Sequence, residues 1–275
     1  MPASGRGKGR RCFQSLHRSQ AAWQPMIIIN ADDWGGWRRA TDAAAECYES
    51  RSITSVTAMV FMEDSERAAE LARRLGINVG LHLNLDHELN GAVPPGPLAA
   101  YHGQVRRFFK RGRFAQVLYN PFLRRQFAFD VQAQLEEFHR LYGQPPSHID
   151  GHHHLHLCAN VLFGGLLPTG SKVRRSFSFV PGEKGALNRS YRRWIDRHLG
   201  RRHVLTDFFF PLSRCLDPIR RQHVGELALR HNVEVMTHPE RQSEYELLKS
   251  QDFRAWIRPL QMGSYADLGW RGITG

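Results

Sequence analysis

The sequence predicts an α/β fold: a (β/α) barrel of about seven to eight parallel strands, with room for irregular ones, and a doubly wound open sheet as the alternative topology. Three observations predict it. Short apolar, β-branched runs alternate with helical stretches about seven times along 275 residues, without an internal linker. Such alternation belongs to parallel strands joined by right-handed crossovers. The first run, Ile27-Ile28-Ile29, is continuously apolar, as a strand covered on both faces requires. Finally, residues able to do chemistry fall at strand ends, where parallel α/β folds build their sites. The length suits one domain over residues 26–275.

Each element follows from local pattern. Residues 26–30 form the first strand, and 41–51, with Ala43, Ala44, Ala45 and Cys47 among charged residues, read as a helix. Residues 55–61 are a second strand, and 65–75 a helix closed by Gly76, the residue suited to a left-handed C′ position. A third strand spans 77–85. The Gly/Pro-rich loop 86–104 follows, of a length that is usually functional. Helices are expected at about 105–119 and 123–142, the second with Phe127, Val131, Leu135, Phe138 and Leu141 at helical spacing. A short strand at 147–150 runs into a His-rich stretch. Beyond it the pattern gives a helix at 161–167, an extended segment at 172–179 and a helix at 187–199. A strand at 204–210, a helix at 217–231, a strand at 233–237 and a helix at 244–257 complete the chain.

The net charge is +12, yet five of those charges are Arg6, Lys8, Arg10, Arg11 and Arg18, in a stretch with no acid. The rest is spread thinly. Arginine pairs such as 174–175, 192–193 and 201–202 lie in or beside helical stretches and read as solvated faces, so no nucleic-acid partner is expected. Residues 1–25 lack the apolar core of a secretory signal. They are expected to be a disordered basic tail, with translation starting at Met26. No window approaches the roughly 18 apolar residues of a membrane span, so an integral membrane protein is not expected. Cys12, Cys47, Cys158 and Cys215 are far apart and form no C-x-x-C pair, which points to a reducing cytoplasm. The expectation is a cytoplasmic chain, alone or as a homodimer.

The densest chemistry lies in His148-Ile149-Asp150-Gly151-His152-His153-His154-Leu155-His156. Imidazole with carboxylate is the usual mixed ligand set of a divalent metal, and a solvated loop has no need of such density. Three other strand ends add polar groups: Asp32 and Asp33, His82 and Asn84, and His238. Singly, each has a structural explanation. Paired aspartates cap helices, His82 suits a satisfied core position, Asn84 caps turns, and His238 before Pro239 ends a strand. Jointly, four segments that bring carboxylates and imidazoles to one rim are better explained by a site. Within the His-rich stretch, His152 and His156 share a face if the chain is helical; His152, His154 and His156 share one if it is extended. One Asp and two His with open positions for water suit a catalytic ion. Two adjacent carboxylates can divide the work, one binding metal and one acting as base.

In order and spacing, the segments 26–35 (with IINADDWG), 80–85 (GLHLNL) and 148–156 (HIDGHHHLH) resemble the YdjC-like carbohydrate deacetylases, a family that includes chitooligosaccharide deacetylases and a hopanoid-associated subgroup. The resemblance covers about residues 26–240. It implies a barrel-like, metal-dependent hydrolase that removes acetyl groups from N-acetylated sugars or glycolipids. It implies one divalent ion, Mg2+ or Zn2+, on Asp33, His82 and His152, with Asp32 as general base and His238 as acid. Asn84, Asp150, His154 and His156 then stand behind the ligands or face substrate. Trp34, Trp37 and Tyr101 are expected as sugar-stacking walls. The chain departs from the family pattern at Glu240, where Gly is common, at Trp34, where Phe is usual, and in an Arg- and aromatic-rich region over 160–215. The rival readings are a metal-dependent phosphoesterase and a non-catalytic glycan- or nucleic-acid-binding protein. An intact Asp32 speaks against the last, because a binding site needs no base.

Overall fold

The computed structural model describes residues 24–112, 114–179 and 183–269. The tail expected before Met26 lies almost wholly outside them. The elements alternate as the pattern requires: β1 (Ile27–Trp34), α1 (Arg38–Glu49), β2 (Ser55–Ala58), α2 (Ser65–Leu75), β3 (Val79–Leu83), α3 (Leu98–Phe109) and α4 (Arg124–Tyr142). Then come β4 (Ile149–Gly151), α5 (Ala159–Gly164), α6 (Ala186–Gly200), β5 (Phe208–Pro211), α7 (Pro218–Ala228), β6 (Val233–Thr237), α8 (Gln242–Lys249) and α9 (Gln251–Ile257). The strands form one parallel sheet in the order β4-β3-β2-β1-β6-β5.

This is a curled half-barrel of six strands, not a barrel of seven to eight. The segment expected to be extended at 172–179 explains the difference. Val173 bridges to Ile149, and Lys172 to Val204, as isolated parallel pairs. β4 is three residues long before the chain turns at the His-rich stretch, so it offers no length for a further ladder. Two helices also differ from expectation. α3 starts at Leu98, inside the expected loop, behind Pro97, whose fixed φ suits a helix start. It ends at Phe109, ahead of Gly112 in the positive-φ region, and short 3-10 turns replace its expected second half. The closing helix is two helices, broken at Ser250, whose extended backbone lets its side chain accept the Phe253 N–H. Among the described residues no helix is long and apolar enough to cross a membrane.

Strand alternation sorts the side chains. Ile27, Ile29 and Ala31 of β1 join the large core beneath the helices. Ile28 points the other way, into a small cluster with Met26, Tyr265 and Leu268. Further along that concave face stand Asn30 and Asp32, and their neighbours Thr57, His82, Asp150 and Glu234 are likewise buried. A curled parallel sheet thus encloses a polar interior, and its carboxyl-terminal end carries the site.

Candidate active site

Simple alternation would send Asp32 and Asp33 to opposite faces of β1. Instead the register with β2 slips between Ala31 and Trp34, and Asp33 adopts φ 59°. A bulge of this kind re-aims one side chain, and here it brings both acids to the concave side. A non-glycine residue in left-handed backbone costs on the order of 1 kcal/mol or more and is a common mark of functional sites. His153 and His154 share that conformation, with φ 50° and 59°. Two successive left-handed residues fan the imidazoles apart.

Their destinations differ. His152 Nδ1 lies 3.0 Å from Asp33 Oδ1, while His82 Nε2, from β3, lies 3.2 Å from the same oxygen. One ligand atom from each of these three residues falls within 4.8 Å of the others, so the expected donor set is assembled. Burial alone would raise the Asp33 carboxyl, but hydrogen bonds from His152 and His82 hold it well below the usual range. It stays a carboxylate, as a metal ligand must. His153 turns outward to Asp86 at 2.6 Å. His154 packs edge-on to Phe177, ring centroids 4.4 Å apart. His156 is fully buried and donates from Nε2 to the Arg174 carbonyl at 3.0 Å.

Behind the donors lies a network that the sequence did not announce. His82 Nδ1 is 2.8 Å from Asp150 Oδ1, across a paired register position of β3 and β4. Thr57 of β2 donates to the other Asp150 oxygen at 3.0 Å. Arg174, with no exposed surface, clamps Asp32 through two parallel hydrogen bonds of 2.7 Å. The same guanidinium reaches Asp150 Oδ2 and Glu234 Oε1, each at 2.7 Å. Read from sequence as part of a solvated arginine pair, Arg174 is instead the hub of three buried carboxylates. Tyr265 donates to the far oxygen of Glu234. Burial pushes the Glu234 carboxyl up to about 7, against the pull of Arg174.

The other expected site residues fall into place less uniformly. His238 Nε2 stands 3.8 Å from Asp33 Oδ2, at the same rim, and its backbone N–H is fixed by Glu244 at 2.8 Å. Burial lowers its pKa although Asp32 and Asp33 favour its charge, so it is largely neutral near pH 7. For Asn84 the sequence left a turn cap and a substrate contact both open. Its amide accepts from the His87 N–H and donates to the His87 carbonyl, and it is fully buried, so it caps a turn and does not face substrate. His156, committed beneath Arg174, is likewise no substrate contact. Trp34 is fully buried and drops out as a sugar wall. Trp37 stays near the rim, 6.3 Å from the His87 ring, whereas Tyr101 packs on Phe129, ring centroids 5.4 Å apart.

The family model described as YdjC-like protein matches residues 26–259. The chain belongs to the YdjC-like family. Similar relatives are a chitooligosaccharide deacetylase of Serratia marcescens, 34% identical over 49% of this chain and 51% of its own length, and a carbohydrate deacetylase of Mus musculus, 33% identical over 69% and 66%. A chitooligosaccharide deacetylase of Salmonella heidelberg is 27% identical over 88% of this chain and 99% of its own. The match to the Serratia relative thus spans about half of that protein's length. Among solved structures, one from Enterococcus faecalis, named for cellobiose-phosphate cleavage, superposes with TM-score 0.64 at 17% identity, covering 90% of this chain and all of that one. An uncharacterized protein of Agrobacterium tumefaciens does so with TM-score 0.51 at 12% identity, covering 90% and 91%. At such identities these two likenesses speak for the fold alone.

In this YdjC-like chain a cleft of about 770 Å³ lies next along the chain from His152, walled by His153 and His154 on one side and by Phe177, Tyr191 and Arg192 on another; Asp33, His82 and His152 do not line it. Glu240 follows His238 and Pro239 at the end of β6. Its carboxyl, half-buried beside the rim, is pushed up to about 7 by burial.

Proposed function

We propose that this chain is a carbohydrate deacetylase that hydrolyses the acetamide of an N-acetylated sugar with the help of one divalent ion. The observation that carries this reading is the meeting of Asp33, His82 and His152, from three separate strand ends, within 4.8 Å. The names of the relatives point the same way. One oxygen and two nitrogen donors, one imidazole fixed by a carboxylate behind it, fit zinc better than magnesium, which prefers oxygen. In such a site an ion supplies Lewis acidity toward a carbonyl oxygen and makes water more acidic.

The side chains supply the proton chemistry. Asp32, oriented by Arg174, accepts a proton from water as the water oxygen attacks the acetyl carbon. The C–N bond then breaks, and the nitrogen must leave protonated or the amide re-forms. His238 delivers that proton. His238 starts neutral, so Asp32 passes it the proton taken from water, and His238 gives that same proton to the nitrogen. The products are acetate and the free amino sugar. Replacing Asp32 with Asn should cut acetate release from N-acetylated chitooligosaccharides by about 10²–10⁴-fold while bound metal, counted by elemental analysis, stays unchanged. An active variant would remove Asp32 from the role of base.

A phosphoesterase remains the second reading because Asp86 and His153 join His152 in a neighbouring donor group. Two ions per chain and phosphate release without acetate would replace the first reading by this one.

A further inference from the structure

Cleft walls in a protein that takes only water-soluble sugars need not be greasy on their outer rims. Here they are. One lip is the segment between α3 and α4, where Phe122 is 89% exposed and Phe114 and Leu118 are exposed beside it. The facing lip is α6, where Leu187 is 89% exposed and Tyr191 and Trp194 are exposed. Both lips border the same cleft, Phe114 and Val117 on one side, Tyr191 and Ile195 on the other. Scattered apolar residues on a surface need no explanation, but a concentration around one opening marks a place of contact.

Charge selects the partner. From residue 89 to 129 the chain has seven Lys and Arg and no Asp or Glu. Of these, Lys110, Arg111, Arg124 and Arg125 are exposed within or beside the first lip. On α6, Arg193 and Arg197 are exposed. The helix's one acid, Asp196, turns away to pair with Arg175 and to accept the Ser176 N–H. A second copy of the chain would bring like charge against like. A nucleic acid would meet the cations but has no use for Leu118, Leu187 and Phe122, side chains that neither stack well as a set nor hydrogen-bond. An anionic bilayer surface takes all three kinds: cations at the lipid phosphates, Trp and Tyr at headgroup level, Leu and Phe at the acyl boundary.

We propose that the two lips of the cleft form a docking surface for an anionic lipid bilayer, so that the cleft opens onto the membrane surface. The proposal stands apart from the deacetylase reading, and its test does not require that reading to hold. The full chain is sedimented with vesicles of phosphatidylcholine alone and of phosphatidylcholine mixed with phosphatidylglycerol. Binding is expected to the mixed vesicles, weakened by added salt. The pair Phe122→Ser with Leu187→Ser, and the pair Arg193→Glu with Arg197→Glu, should each weaken it by on the order of tenfold or more. Both pairs should keep the parent's circular dichroism and thermal midpoint, and any acetate release from a soluble chitooligosaccharide. Equal binding to both vesicle types, or none, overturns the proposal. So does binding that neither pair weakens, because attachment would then lie elsewhere, such as in the basic residues before Met26. Two further results overturn it: lip-dependent capture of single-stranded RNA with vesicles left unbound, and lip-dependent self-association in velocity sedimentation.

Discussion

Asp150 receives His82 Nδ1 on one oxygen and Thr57 and Arg174 on the other. Burial alone would lower the His82 pKa, but Asp150 and Asp33 raise it well above the usual value, so without an ion Nε2 donates to Asp33. Where an ion takes the place of that proton, the first contact holds the remaining proton on Nδ1 and leaves the Nε2 lone pair for the ion. Asn in its place would present an amide N–H to the ring, favouring the tautomer that cannot ligate. Asp150→Asn should therefore weaken metal binding by about 10–100-fold, read by equilibrium dialysis, although no ligand is touched. Unchanged affinity would show that the carboxylate does not set the ring. Asp33, His82 and His152 were legible as candidate donors only jointly, because carboxylates and imidazoles at several strand ends are hard to explain together, and the family resemblance singled out these three. Asp150 was legible only as one of several candidates. Arg174 was not legible at all, since a guanidinium next to Arg175 in an Arg-rich stretch looks solvated until Asp32, Asp150 and Glu234 converge on it from three distant segments. Asn84 shows the reverse case: its hydrogen bonds are local, to His87, and residue type alone does not separate a turn cap from a substrate contact.

At the level of elements, the site depends on how closely β3 approaches β4. Gly80 makes that approach possible. A Cβ there would lie 2.5 Å from the His148 ring and 2.8 Å from its carbonyl oxygen. His148 has nowhere to go, because its ring is stacked on Tyr265 with centroids 3.8 Å apart. Gly80→Ala should thus push the strands apart, destabilise the fold by about 1–3 kcal/mol in urea titrations, and shift His82 relative to Asp33. The added loss is read as weaker metal binding at a temperature where the variant is still folded. Full metal affinity would show that the strand spacing does not position His82. Strand and helix existence was readable from periodicity, and α2 ends at the expected Gly76 in left-handed backbone, as α4 does at Gly143. What periodicity missed are the places where one residue decides: Pro97 starting α3 early, Ser250 splitting the last helix, and the bulge at Asp33, which carries no distinctive residue type. The strand count fell short for a tertiary reason, the three-residue length of β4.

For the whole molecule, a polar interior enclosed by a half-barrel makes stability depend on pH through buried groups that act in opposite directions. Three carboxylates share one guanidinium, and burial pushes the carboxyl of one of them, Glu234, up to about 7 from an ordinary 4.5. The folded state therefore binds this proton more tightly than the unfolded chain does. Its contribution is fully present below about pH 4.5 and is lost as pH rises toward and through about 7. The full shift corresponds to an upper bound of about 3–4 kcal/mol, using roughly 1.4 kcal/mol per pKa unit. Glu240, also pushed up to about 7, acts in the same direction. Asp33 and Asp150, held below the ordinary carboxylate range despite burial, act in the opposite direction, but only at lower pH, where their protonation would destabilise the fold. Glu234→Gln keeps an oxygen for Arg174 and an N–H for Tyr265 while removing the titration. Burial also holds His148, His154 and His156 below the usual imidazole range, which adds stability in both proteins as pH rises through about 6.5. Urea unfolding of the chelated protein at about pH 5 and about pH 7.5 should therefore show wild type losing stability relative to the variant across the interval. A stability difference between the two proteins that does not change with pH would mean that Glu234 is ionised throughout and that Arg174 carries all three negative charges.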